Sequence, residues 1–443
     1  MLKKLISILI STVLMVSLFT NNAIAISRKI EITEAKATNC YAYSIGVNHG
    51  NTNSGLTGNF IPNVKYANTC YGMINGISSY YNDRPTISYM KGNNPSGNRR
   101  IASRVVWLNG HANNTTLVFN HNNLGGNYNT GVYYGYDTSN YVGLLSTSMS
   151  GVDLISFVGC QTAKGQNNLA SRARSQGATT AIGFRESITS RSSDGQGWCR
   201  KFNDALSIGH TISSAISYAT SFYPNADLDN YIKVYGSTTN KISQSGNVSS
   251  LSTGEQWPGN RILNTNITYN NIGIVENEAL IKYSKELSNI INTIIIQDKS
   301  FNTSDYSISA NMYSDDGKSG IVTLTYNIGE IVTNKAYIIT EENNTVTNIV
   351  LSHAVSSNKS ASTMTNQKNL INEKYLISLV EKHKSQNSVK YYNNKSNIID
   401  VRKNYYFDYS TNKLTYQKCV YCIAPNSDNV IIDFVSSEVI NNN

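Results

Sequence analysis

The chain has few cysteines, no basic block and, beyond its first two dozen residues, no apolar run long enough to cross a bilayer. Each absence removes a class of protein. Six cysteines in 443 residues (Cys40, Cys70, Cys160, Cys199, Cys419 and Cys422) are too sparse for a disulfide scaffold. Cys419 and Cys422 form a C-x-x-C, but no second pair completes a zinc site. In the alternating run "LTYQKCVYCIA" residues three apart point to opposite faces of a strand, which favours packing over redox chemistry. The formal charge of +9 is spread along the chain rather than gathered beside aromatics, so no nucleic-acid partner is expected. No membrane span is expected either.

What is present begins with a leader. Lys3 and Lys4 precede the apolar run Leu5–Phe19, and Ala23, Ile24 and Ala25 supply small residues for cleavage. Residues 1–25 read as a signal peptide, which predicts a secreted protein, extracellular or wall-associated. Removing it takes away two lysines and no acid, so the charge falls to +7. Length predicts two domains: a short leader over 26–39, a first domain over 40–240, a linker over 241–262 and a second domain over 263–443. The linker is marked by "SQSGNVSSLSTGEQWPGN", rich in Ser, Gly and Asn.

In the first domain, strand-like and helix-like stretches alternate. "CYAYSIGV" (Cys40–Val47) predicts strand one, Lys65–Asp83 a helix, "TISYM" (Thr86–Met90) strand two and "SRVVWLNGHA" (Ser103–Ala112) strand three. "TTLVF" and "GVYYGY" flank a Gly/Asn-rich turn and predict a hairpin. "VDLISFVGC" predicts strand four, Asn167–Ala178 a helix, "TTAIGF" (Thr179–Phe184) strand five, Gly197–Thr220 one or two helices and "NYIKVYGS" (Asn230–Ser237) the last strand. Apolar strands separated by helices predict an α/β domain: a mostly parallel sheet with helices on both faces. Chemistry in such sheets sits at the carboxyl ends of strands, where His111 and Cys160 both fall.

These residues resemble the caspase-like cysteine peptidases of clan CD, a group that includes caspases, metacaspases, legumain, clostripain, gingipain and CHAT domains. The shared signature is an apolar strand ending in the catalytic histidine, then a second ending in Ala-Cys or Gly-Cys. Here "RVVWLNGHA" matches the first and "LISFVGCQTA" the second, with the intervening hairpin and "LASRARSQGATTAIGF" also similar to the group. The resemblance spans Cys40–Ser237, about half of the mature chain, and implies a caspase-like fold. Two departures stand out: Ala112 follows the histidine in place of glycine, and Val158 and Gly159 precede the cysteine where clostripain-like members often carry an acid for a basic substrate side chain.

The resemblance implies a Cys160/His111 dyad acting on a protein or peptide substrate through an acyl-enzyme. A thiol attacks as thiolate, with an ordinary pKa near ~8.5, so it needs a neighbouring base such as His111, which then protonates the leaving amine. The amides of Ala112 and Cys160, with Gly110 beside them, would form the oxyanion hole, worth roughly 2.7–4 kcal/mol per donor. Gly159 would leave room for substrate beside the sulfur. Glu186 and Asp194, after strand five, are candidate pocket acids for an Arg or Lys side chain. Rivals are weaker: His49 is predicted far from the site, His121 at the hairpin tip, and His210 and Cys199 in helical packing positions. No cofactor is expected; Asp227 and Asp229 could bind calcium, as in some members, but lack EF-hand spacing.

The second domain reads as α+β. Glu276–Ile296 and Asn369–Lys384 have helical periodicity, and several strand-like runs surround them. It carries no chemistry of its own. Surface attachment to the cell envelope, substrate capture, or covering the active site until processing all fit it, and related peptidases suggest self-processing near Lys241–Arg261. The rival to a peptidase is a non-catalytic extracellular binding or surface protein that keeps the caspase-like fold.

Overall fold

The computed structural model describes residues 39–50, 56–74, 76–123, 126–128, 130–243, 261–263, 267–268, 302–343, 345–352, 372–386, 398–409, 411–424 and 429–440. The expected signal peptide, most of the expected linker and the helix predicted over Glu276–Ile296 lie outside the described residues.

The first half runs β1 (Tyr41–Gly46), α1 (Ile61–Gly72), β2 (Ser78–Asn82), α2 (Ile87–Lys91) and β3 (Val105–Asn109). Six short strands follow: β4 (His111–Ala112), β5 (Thr116–Val118), β6 (His121–Asn123), β7 (Gly126–Tyr128), β8 (Gly131–Tyr133) and β9 (Tyr141–Gly143). Then come β10 (Leu154–Val158), α3 (Leu169–Ser175), β11 (Thr180–Phe184), α4 (Ser193–Ser207), α5 (Ile212–Phe222), α6 (Leu228–Tyr231) and β12 (Ile232–Gly236).

Six of these strands form one sheet in the order β12-β11-β10-β3-β1-β2. All neighbours in it run parallel except the edge strand β12, so the predicted α/β class is the one found. Strands β3, β10 and β11 are buried at every position, as central strands covered on both faces must be. Alternate residues of β3 divide between two cores. Val105 and Trp107 face α1, α4 and α5, where Trp198 stacks on Phe202 at 5.2 Å. Val106 and Leu108 face α2 and α3.

Strand two differs from its prediction. Thr86–Met90 is not a strand: the Thr86 hydroxyl accepts from the Tyr89 amide at 3.1 Å and caps α2, whose Met90 is buried. The strand is instead Ser78–Asn82, which periodicity had merged with the preceding helix. Gly76, at φ +76°, makes the turn that separates them.

The second half adds β13 (Arg261–Leu263), β14 (Ile267–Thr268), β15 (Tyr306–Met312), β16 (Gly320–Ile328), β17 (Ile331–Glu342) and β18 (Thr345–Ser352). Helix α7 (Glu373–Gln386) and strands β19 (Ile398–Asp408), β20 (Lys413–Ile423) and β21 (Ile431–Val439) complete it. Leu376, Leu379 and Val380 of α7 pack on Ile328, Ile331, Phe407 and Leu414, which gives the α+β character predicted. These strands join β4, β5, β8 and β9 in a single thirteen-stranded sheet, and the seam is the pairing of Ile431 with Ala112. The second half is therefore hydrogen-bonded to the short strand that carries His111. Cys419 and Cys422 are both buried in β20, in different cores, as strand alternation predicts, and all six cysteines are free thiols. Among the described residues no helix is long and apolar enough to cross a membrane.

Candidate active site

Strands β3 and β10 are paired in register from Val105 with Leu154 to Asn109 with Val158. One glycine follows each strand, and the next residues are His111 and Cys160. The two side chains thus leave the carboxyl ends of adjacent parallel strands at the same level. Both glycines are needed for that approach. A Cβ on Gly159 would lie 2.7 Å from the Ala112 Cβ and 2.7 Å from the Gly110 carbonyl, and one on Gly110 would lie 2.6 Å from the Val118 carbonyl. Gly159 therefore permits close strand packing, and the space beside it is filled by the chain rather than open to substrate.

Beyond Cys160 the backbone turns sharply. Gln161 takes φ of 60°, a left-handed conformation costly for a residue with a side chain. The turn is held by the Gln161 amide on the Glu186 carbonyl at 3.1 Å and the Ala163 amide on the Phe184 carbonyl at 2.9 Å. The Cys160 amide has no acceptor among the described residues, which leaves a donor at the nucleophile position.

His111 is 1% exposed. Its Nε2 is 2.5 Å from the Thr57 carbonyl, so the proton sits on Nε2 and the lone pair on Nδ1. The ring meets the edge of Phe60 at 5.0 Å between centroids and lies 4.9 Å from the His49 ring. Burial pushes the His111 pKa down to about 4, with the Asp433 charge opposing and that of Arg191 adding to the shift. Cys160 is 3% exposed, and its thiol points at the Ile188 carbonyl, 3.8 Å away. Burial, then the Asp433 charge, pushes that thiol well above the ordinary range. Thiol and imidazole are both uncharged at neutral pH in this arrangement, and no hydrogen bond joins them among the described residues.

The strands of the second half close the site. Asp433 of β21 is 2% exposed and places Oδ1 3.5 Å from His111 Nδ1. Arg191 binds the same oxygen through Nη2 at 3.2 Å and Nε at 3.3 Å, and also reaches the Asp433 carbonyl. The Asp433 Oδ2 has no hydrogen-bond partner among the described residues. Cys419 and Tyr421 of β20 and Ile431 of β21 lie in the same apolar cluster as Cys160.

The remaining expected residues divide. Ala112 is fully buried and flanked by β5 and β21. Gly110 donates its amide to the Val158 carbonyl at 3.2 Å, so it is engaged in the sheet rather than available as an oxyanion donor. Glu186 is an exposed rim acid paired with Lys164 at 3.0 Å. Asp194 lies in the first turn of α4, where burial, then repulsion from Asp408 and Asp227, holds it up at about 6 against the Ser193 hydrogen bond. His49, predicted far away, stands against His111 instead. His210 precedes α5 and contacts the Ser214 hydroxyl at 2.8 Å, while Cys199 is buried within α4. The side chain of His121 lies outside the described residues. Asp227, the calcium candidate, spends its oxygens on protein donors: Thr189 on Oδ1 and Arg402 and Tyr421 on Oδ2. Thr57, Arg191, Asp433 and Arg402 were not foreseen, because each is an isolated residue with no motif around it.

No family model matches the sequence, and no curated protein matches it. Among solved structures, the chain is similar to gingipain R, an Arg-specific cysteine proteinase, at 12% identity and a TM-score of 0.33, over 73% of this chain and 63% of that one. That similarity is too slight to carry the chemistry, which rests on the strand ends and side chains described above.

Proposed function

We propose that the chain is a secreted cysteine peptidase of the caspase-like type, held in a latent form by its own second half. The observation that carries this is the emergence of Cys160 and His111 from adjacent strand ends, at one level, with an unbonded amide at Cys160. In the working state the His111 Nδ1 lone pair takes the thiol proton, and the thiolate attacks a peptide carbonyl. Negative charge gathers on the carbonyl oxygen, which the Cys160 amide stabilises. His111 returns the proton to the leaving amine, and water then hydrolyses the thioester by the reverse use of the same base. The Thr57 carbonyl holds the imidazole in the tautomer this requires.

Latency follows from electrostatics and access. With both groups buried and Asp433 beside them, a thiolate is disfavoured. The position of β20 and β21 favours a covering role for the second half over attachment to an envelope. Processing between the halves, in the stretch from Lys241 to Arg261, is the step that would release it.

The test is cleavage of a peptide library by the purified chain, before and after limited proteolysis between the halves. Cleavage that Cys160→Ala lowers by roughly 10⁴-fold or more, and His111→Ala by a similar factor, supports the proposal. A chain that cleaves nothing in either form supports a binding protein instead, and a Cys160→Ala variant that stays active removes Cys160 as the nucleophile.

A further inference from the structure

Arg402 leaves β19 of the second half and ends among groups of the first. Its Nη1 donates to the Ser187 carbonyl at 3.1 Å and to Asp227 Oδ2 at 3.2 Å. Its guanidinium carbon lies 5.3 Å from the centre of the Tyr231 ring. On its own side it meets the Asp400 carboxylate through Nε at 2.9 Å and the Tyr421 ring at 4.7 Å.

The first-half groups make a receptor independent of the arginine that fills it. Asp227 Oδ1 accepts from the Thr189 amide and hydroxyl, both at 3.0 Å, so the carboxylate is oriented from within the first half and presents Oδ2 outward. A fixed carboxylate, a backbone carbonyl and an aromatic face are the three partners a planar guanidinium uses best. The receptor also adjoins the candidate nucleophile. Ser187 immediately precedes Ile188, whose carbonyl receives the Cys160 thiol. Glu186, one residue earlier, holds the turn after Cys160 through its carbonyl.

We propose that Asp227, the Ser187 carbonyl and Tyr231 form the pocket for a basic substrate side chain, arginine before lysine, and that Arg402 is the chain's own occupant of it. The specificity-determining acid is then Asp227, not Glu186 or Asp194. Arginine is preferred because its planar, weakly hydrated guanidinium lies over the Tyr231 ring while Nη1 meets both the carboxylate and the carbonyl, whereas an ammonium is a compact, strongly hydrated point charge. Arg402 is paired with Cys419 in the β19–β20 ladder, so it fills the pocket without presenting its own peptide bond for attack. This inference rests on the peptidase reading for its place in catalysis, but the pocket can be tested without catalysis.

The experiment uses the full chain with Cys160→Ala and titrates 4-aminobenzamidine, followed by its fluorescence. Adding Arg402→Ala should strengthen binding roughly 10- to 100-fold, the range of hydrogen bonds to a charged group, and adding Asp227→Asn should abolish it. Arg402→Gln replaces Arg402→Ala if the latter loses its cooperative unfolding transition. No binding once Arg402 is removed, or binding indifferent to Asp227→Asn, overturns the pocket even if the wild-type chain cleaves peptides. Asp227-dependent binding by a chain without peptidase activity upholds the pocket and removes only the peptidase reading.

Discussion

Replacing Asp433 by alanine should make Cys160 reactive. The carboxylate is 2% exposed, binds Arg191 at 3.2 and 3.3 Å and stands 3.5 Å from His111. Removing one partner of a buried ion pair costs about 3–5 kcal/mol. The Arg191 side chain keeps 15% of its surface in solvent and can recover part of its hydration, which reduces the figure to roughly 2–3 kcal/mol. The loss falls on the seam between β21 and β4, where a single residue pair, Ile431 with Ala112, joins the strands. Local opening there should become roughly 30- to 150-fold more populated. The change also removes the negative charge that helps hold the Cys160 thiol protonated, so the exposed sulfur is more acidic. A timed iodoacetamide pulse followed by peptide mapping reads all six thiols at once. Cys70 and Cys199, each 1% exposed on the buried faces of α1 and α4, are internal controls. Faster labelling of Cys160 with both controls silent is the expected result. An unchanged Cys160 rate, or Cys70 and Cys199 rising alongside it, would show that the Asp433 ion pair does not hold the seam closed over the thiol.

Other expectations concern stability. Gly159→Ala drives a methyl to within 2.7 Å of Ala112 and of the Gly110 carbonyl, and should cost about 1–3 kcal/mol in urea unfolding; an unchanged midpoint would show that the seam has slack. Trp198→Ala empties the stack on Phe202 and should cost about 3–5 kcal/mol, checked by the same titration. His111 and His210 are both pushed down to about 4, mainly by burial, while in the unfolded chain each takes up its proton near pH ~6.5. The stability these two histidines contribute should therefore be complete above about pH 6.5, fall as pH drops towards 4, and change no further below that. Each contributes up to roughly 3 kcal/mol, and His210→Asn should flatten its share of the slope; identical slopes with and without His210 would count against its burial.

The central strands and the positions of His111 and Cys160 were legible because β3 and β10 are continuous apolar runs, the pattern a doubly covered strand requires. Helices α4 and α5 were legible as helical, and the break between them falls at Gly209, at φ +93°. The strand Ser78–Asn82 was not legible, since its exposed positions carry no alternation and a helix precedes it directly. A five-residue helix such as α2 is set by the Thr86 cap and tertiary packing rather than by periodicity. The seam of β21 with β4 joins segments from opposite ends of the chain, and nothing local in "VIIDFVS" announces that Asp433 faces a histidine. In the sequence Asp227 stands out only as a calcium candidate beside Asp229. Its role depends on Thr189 and Arg402, which only the fold brings to it.

The Cys160/His111 dyad is tested by a peptidyl acyloxymethyl ketone bearing arginine at its reactive end, applied to the chain after limited proteolysis between its halves. Peptide mapping should find one adduct, on Cys160, with its rate sharply lowered by His111→Ala. An adduct on any other cysteine, or equal labelling with and without the imidazole, would contradict a nucleophile activated across the ends of β3 and β10.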